Sequence, residues 1–209
     1  MYIALIGMSN IGKSFCAKNL AAAHGFRHID CDALIEKKLG AEFAEGGFRG
    51  REGMAKWMGF PADASYEKNS RRYLDCEKEV MKESLALLQN DKQSPAVLDT
   101  TGSVIYTGAD ILESLRAATR VIYFEATKEH IASFFKNYID RPKPVIWGES
   151  YAPLADETPR QTLERCYPEL LGFRARRYKE IAHVTIPFGQ LKNHWKDIGA
   201  FVLKCAEAS

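Results

Sequence analysis

Gly7, Gly12, Lys13 and Ser14 stand in the stretch GMSNIGKS, and residues of those types at that spacing suit one task, the holding of phosphate. The glycines let backbone N–H groups turn inward on a nucleotide's β-phosphate. Lys13 brings charge to the β and γ oxygens, and Ser14 offers a hydroxyl to Mg2+. The pattern G-x-x-x-x-G-K-[ST] is met at every fixed position, so Gly7, Ser9, Asn10, Ile11, Gly12, Lys13, Ser14 and Phe15 form the expected nucleotide-contacting stretch. ATP and Mg2+ are the ligands this implies, and the phosphate acceptor stays open.

Carboxylates supply the second half of such chemistry. The stretch IDCD contains Asp30 and Asp32, and alternation along a strand would aim both into one cleft. Phosphoryl transfer to a hydroxyl uses one carboxylate to orient the attacking group and another to hold Mg2+ or its waters. Asp32 has a plainer role open to it as the N-cap of DALIEKK, a role that does not explain Asp30. Asp99 ends the apolar run PAVLD, as the Mg2+-binding aspartate of such sites ends a buried strand. Ser14, Asp30 and Asp99 are therefore the expected metal-side residues.

Positioning these groups requires a sheet edge. YIALI, FRHID, SPAVLD, TRVIYFEA and AHVTIP read as strands. Between and after them lie helical stretches: KSFCAKNLAAAHG closed by Gly25, DALIEKKLG ended by Gly40, a helix around ADILESLRAA, TKEHIASFFKNYI with Thr127 as N-cap, and a terminal helix over LKNHWKDIGAFVLKCA. Five strands alternating with helices predict an α/β, three-layer fold with a five-stranded parallel sheet and helices on both faces. One domain over 1–209 is expected. Two stretches break the rhythm, a Gly-rich one covering about 41–75 and a proline- and aromatic-rich one over about 141–160. Both exceed ordinary connections and read as a substrate-side segment and a lid.

Composition narrows the setting. The 209 residues are 46% hydrophobic and 27% charged with a net charge of +2, the profile of an ordinary globular protein with no nucleic-acid or membrane partner. Five dispersed cysteines argue for reduced thiols and a cytoplasmic location, and the N-terminus does not read as a signal peptide. The histidines show no metal-ligand spacing, and His183 reads as a strand-edge residue. No apolar run approaches the ~20 residues of a membrane span. A monomer or weak dimer is expected.

The phosphate loop, the IDCD pair and the helix DALIEKKLG together resemble the shikimate kinases. RPKP at Arg141 is similar to that family's lid motif, and RARRYKEIA to its Arg-x-x-x-Tyr-x-x-x-Ala helix through Arg174, Tyr178 and Ala182. The resemblance implies a nucleoside-monophosphate-kinase-like architecture and transfer of phosphate from ATP to shikimate. It implies Lys13, Asp32 and Arg141 as catalytic residues, with Asp32 on the acceptor hydroxyl, Asp30 near Mg2+ through water, and Arg141 on the phosphates. It also implies acceptor contacts from Arg174, which would pair with a carboxylate, and from the turn Thr101, Gly102 and Ser103, which stands where the family has three glycines. The family's second carboxylate-binding arginine aligns with Leu74, leaving Arg72 or Arg49 to replace it. The acceptor is thus expected to be a small anionic hydroxyl compound, shikimate first and a gluconate-type sugar acid as the alternative. A nucleotide-binding module without catalysis is the other class.

Overall fold

The computed structural model describes residues 1–90, 94–127 and 130–208 of the chain. Five strands, β1 (Tyr2–Gly7), β2 (Arg27–Asp30), β3 (Ala96–Asp99), β4 (Arg120–Glu125) and β5 (Val184–Pro187), pair in parallel in the order β2-β3-β1-β4-β5. Ile3, Ala4, Leu5 and Ile6 of β1 are fully buried, as a central strand covered on both faces must be. The helices are α1 (Lys13–His24), α2 (Cys31–Glu45), α3 (Gly50–Met58), α4 (Tyr66–Asn90), α5 (Ala109–Ala118), α6 (Ile131–Asp140), α7 (Pro159–Ile181), α8 (Phe188–Asn193) and α9 (Ile198–Glu207). α1 packs against α9, while α7 lies beside α5 on β1 and β4. Among the described residues, no helix is long and apolar enough to cross a membrane.

Register does the positioning. Asp99 pairs with Leu5 on one side and with Asp30 on the other, so both carboxylates end their strands beside the loop that follows Gly7. Ligands of open parallel sheets bind at this carboxyl edge.

Several elements differ from the sequence expectation. α1 closes at Gly25, whose φ of 69° is left-handed, but α2 does not stop at Gly40. Gly40 kinks it (φ 52°, ψ −124°) and the helix resumes to Glu45. The stretch expected as a long substrate-side segment holds α3 and the start of α4, a 25-residue helix with Tyr73, Cys76, Glu77, Val80, Met81, Ser84, Leu85 and Leu88 buried at helical spacing. The cap expected at Thr127 rests on residues 128 and 129, which lie outside the described ones; α6 starts at Ile131 after His130, and the Thr127 hydroxyl bonds the His130 ring at 2.7 Å. The terminal helix is broken into α8 and α9 by a short 3-10 turn over Trp195–Asp197. The break lets the Trp195 indole stack on Phe15, with ring centroids 4.6 Å apart and planes 3° from parallel.

The stretch 141–160 packs down rather than standing free. Val145, Ile146 and Trp147 are buried, and the Trp147 indole N–H donates to the Tyr138 hydroxyl at 3.1 Å. The Tyr66 hydroxyl of α4 ties this strap twice, accepting from the Trp147 N–H and donating to the Val145 carbonyl, both at 2.9 Å.

Candidate active site

The phosphate loop has the backbone its sequence demands. Gly12 holds φ at 100°, and a Cβ there would stand 2.8 Å from the Trp195 ring; one on Gly7 would meet the Phe124 carbonyl oxygen at 2.7 Å. Asn10 takes a left-handed φ of 65°, which asparagine tolerates better than most side chains. Lys13 is buried, its ammonium donating to the Gly7 and Met8 carbonyls at 2.8 and 3.0 Å. Burial lowers its pKa, against the opposite pull of Asp99 and Asp32. Ser9, Asn10, Gly12, Lys13, Ser14 and Phe15 line one cleft, over the N-terminus of α1. Ile11 is packed in the core and does not line the cleft.

Of the two aspartates of IDCD, the helix cap weighed for Asp32 falls to Asp30, the N-cap of α2, which accepts the Ala33 N–H at 3.1 Å. Asp32 lies one residue inside the helix rather than on the strand, and its carboxylate is left for the cleft. Burial raises its pKa, and the charges of Arg51 and Lys13 oppose the rise. Arg51 of α3 sits directly on it: Nε is 3.0 Å from Asp32 Oδ2, and Nη2 is 3.0 Å from Ser14 Oγ and 4.0 Å from Asp30 Oδ2.

Asp99 is buried, with His28 Nε2 3.4 Å from its Oδ2. Burial works against its charge, but hydrogen bonds from His28 and Ser14 and the charge of Lys13 outweigh that and hold its pKa low. His28, Asp30 and Asp99 bring ligand atoms within 4.8 Å of one another, so one histidine does stand at metal-ligand distance from two carboxylates. Its spacing of two from Asp30 along β2 was the available signal; the partner on β3 is supplied by register alone. His183 sits before β5, where its Nδ1 accepts the Val121 N–H at 3.0 Å.

On the acceptor side, Thr101 and Gly102 line the cleft with Tyr73. Ser103 turns inward. Its hydroxyl donates to Glu77 Oε2 at 2.6 Å, and the Thr101 hydroxyl bonds the other carboxylate oxygen. Glu77 is fully buried, and its pKa is pushed up to about 7, chiefly by burial, against the pull of these hydroxyls. Being a charged residue on the inward stripe of α4 was the sequence signal for it. Arg174 is buried against the same turn, its Nη1 standing 3.5 Å from where a Gly102 Cβ would lie. It donates to the Ile146 carbonyl of the strap at 2.6 Å and lies 5.5 Å over the Tyr106 ring, while its Nε is buried with no hydrogen-bond partner among the described residues.

Three expected arginines are elsewhere. Arg72 pairs with Glu42 at 3.3 Å and borders a separate surface depression, because its turn of α4 faces away from the cleft. Arg49 is exposed ahead of α3. Arg141 is exposed at the C-terminal end of α6, and Lys143, two residues on, reaches the cleft in its place. Arg51 is the arginine the sequence reading missed; it lies in the Gly-rich stretch over 41–75, and only the fold of α3 returns it to the loop.

This architecture has counterparts among known proteins. No family model matches the chain. Among curated proteins, it is 28% identical over 185 residues to the shikimate kinase of Histophilus somni (strain 2336), covering 88% of this chain and 84% of the relative. It is 29% identical over 185 residues to that of Actinobacillus pleuropneumoniae serotype 5b (strain L20), with the same coverage. Over most of its length the chain is similar to the shikimate kinases. Solved structures share its fold: the shikimate kinase of Bacteroides thetaiotaomicron superposes over 100% of this chain and 97% of its own with a TM-score of 0.61 at 16% identity. The shikimate kinase from Acinetobacter baumannii in complex with shikimate gives a TM-score of 0.58 at 24% identity over 88% of this chain and 82% of its own. The shared fold thus spans nearly the whole length.

Proposed function

We propose that the chain transfers the γ-phosphoryl group of Mg·ATP to a hydroxyl of a small anionic acceptor, with shikimate as the first candidate. One observation carries the reading: Ser14 of the phosphate loop and Asp32 of the acceptor side lie on the same guanidinium, each at 3.0 Å. The two halves of a phosphotransfer site therefore face each other across the width of one side chain.

The oxygen donors of Ser14, Asp30 and Asp99 suit a hard cation, so these residues would hold Mg2+. Bound there, Mg2+ supplies neutralisation of charge on the β and γ oxygens. Gly7 to Phe15 cradle the nucleotide, and Lys13 adds the charge that N–H groups alone lack. Asp32 accepts the hydrogen bond of the acceptor hydroxyl, orients it, and takes its proton as transfer proceeds. Arg174, with its unpartnered Nε against the Gly102 turn, meets the acceptor's carboxylate. The strap over 141–160 acts as a lid, with Lys143 facing the phosphates and water excluded beneath it. A second acceptor, another small hydroxy acid, is favoured by one observation: the hydroxyls of Thr101 and Ser103 bond Glu77.

A coupled ADP-release assay over shikimate, gluconate and related hydroxy acids tests this. Turnover of at least one acid is expected, abolished in Lys13→Ala. Asp32→Asn is a clean probe because Asp30 carries the helix cap. It is expected to cut kcat by about 100-fold or more with ADP affinity retained. Near-normal kcat in that variant would remove Asp32 from the chemistry, and absence of turnover over the whole set would refute the kinase reading.

A further inference from the structure

Arg51 has no counterpart among the motifs that led to the site. It enters from α3, inside the stretch 41–75, and fastens on Asp32 and Ser14 together. Both partners have other work under the reading above, on which this inference rests. The Ser14 oxygen goes to the cation and the Asp32 oxygen to the acceptor hydroxyl, so the Arg51 contact with Ser14 must be given up when Mg·ATP binds. A guanidinium carries five N–H donors in a planar fork, and the two contacts to Asp32 and Ser14 leave others for a third partner. What lies between Ser14 and Asp32 during reaction is the transferring phosphoryl group, whose charge is spread over three equatorial oxygens. No arginine of the lid reaches that position in this structure, since Arg141 is exposed at the end of α6 and the lid presents Lys143 instead.

We propose that Arg51 is a catalytic residue of the transfer, exchanging its Ser14 contact for an equatorial oxygen of the γ-phosphoryl group while keeping its hold on Asp32. Arg51 therefore supplies from the acceptor side of the cleft a planar charge that neither Lys13 nor Lys143 provides. Lysine is a poor substitute, because a point charge cannot meet the carboxylate and the phosphoryl oxygen along one rigid fork.

The test needs no acceptor. Calorimetric titration of wild type, Arg51→Gln and Arg51→Lys with Mg·ADP and with Mg·AMP-PNP isolates the contact to the third phosphate. Arg51→Gln is expected to weaken AMP-PNP about tenfold or more and ADP less than about threefold, the scale of one charge-assisted contact. Arg51→Lys should recover only part of the loss. Equal weakening of both nucleotides, or of neither, would overturn the proposal. With an acceptor that wild type phosphorylates, Arg51→Gln should lower kcat by about 100-fold or more. A change confined to the acceptor KM would also overturn the proposal, because Arg51 would then serve acceptor binding. If wild type turns over no acceptor yet keeps an AMP-PNP preference that Arg51→Gln erases, the phosphate contact stands and the acceptor reading falls.

Discussion

Glu77 is a carboxylate with no exposed surface, bonded through both oxygens to the hydroxyls of Thr101 and Ser103, and with no ion pair to a basic side chain among the described residues. Burial lifts its pKa from 4.5 to about 7. A folded-state value above the unfolded one makes its contribution to stability complete below pH 4.5 and lost as pH rises through 7. The loss is on the order of 3 kcal/mol. Thermal melts from pH 4.5 to 8.5 should show it, and Glu77→Gln should flatten the decline; parallel profiles for the two proteins would refute the assignment. His28 allows a second test at this scale. By holding Asp99, it orients one of the carboxylates proposed to hold Mg2+. His28→Asn is expected to raise the Mg2+ concentration for half-maximal activity about tenfold, as loss of a supporting hydrogen bond commonly does. An unchanged Mg2+ titration would make His28 a packing residue. Neither group stood out in the sequence. Glu77 needed the inward stripe of α4 to be recognised, and His28 needed the pairing of β2 with β3.

Elements differ in how far local chemistry decides them. YIALI and RVIYFE are apolar enough to be strands wherever they occur, and Gly25 ends α1 by its own conformational preference. The split of the terminal helix is different, because it is set by where the Trp195 indole docks, a contact with residues some 180 positions away. The strap over 142–147 belongs to the same class. Its prolines announce an irregular path, yet its depth depends on Tyr66, whose hydroxyl satisfies one buried donor and one buried acceptor of the backbone. Tyr66→Phe removes both bonds at a cost of about 1–3 kcal/mol. A lower melting temperature and faster proteolysis near Trp147 are expected together. Unchanged cleavage would show that aromatic packing alone secures the strap. With nucleotide and acceptor bound, cleavage there should slow.

For the molecule as a whole, one strand order gathers groups that lie far apart in the chain. The loop at 7–15, the carboxylates at 30, 32 and 99, the turn at 101–103, Arg51 and Lys143 meet because β3 is inserted between β2 and β1. The phosphate loop and the Asp pair were legible early because their spacing is short and the chemistry constrains each position. Arg51, Lys143 and Trp195 were not, since each comes from a segment whose path is fixed only after the sheet and its flanking helices are in place. Gly12 connects the two classes: its motif role was plain from the sequence, and its closeness to the Trp195 ring was not.

That closeness gives the chain an optical label of its own. Of the three tryptophans, Trp57 and Trp147 are buried, at 7% and 1% exposure, whereas Trp195 is 38% exposed and stacked on Phe15 at the mouth of the phosphate loop. Emission excited at the indole band should therefore divide into two dark-to-quencher components and one accessible to acrylamide. Nucleotide arriving at the loop should alter that accessible component, and Trp195→Phe should silence the response while leaving the other two emitters in place. Occupancy of the loop becomes readable in real time, without a dye and without turnover.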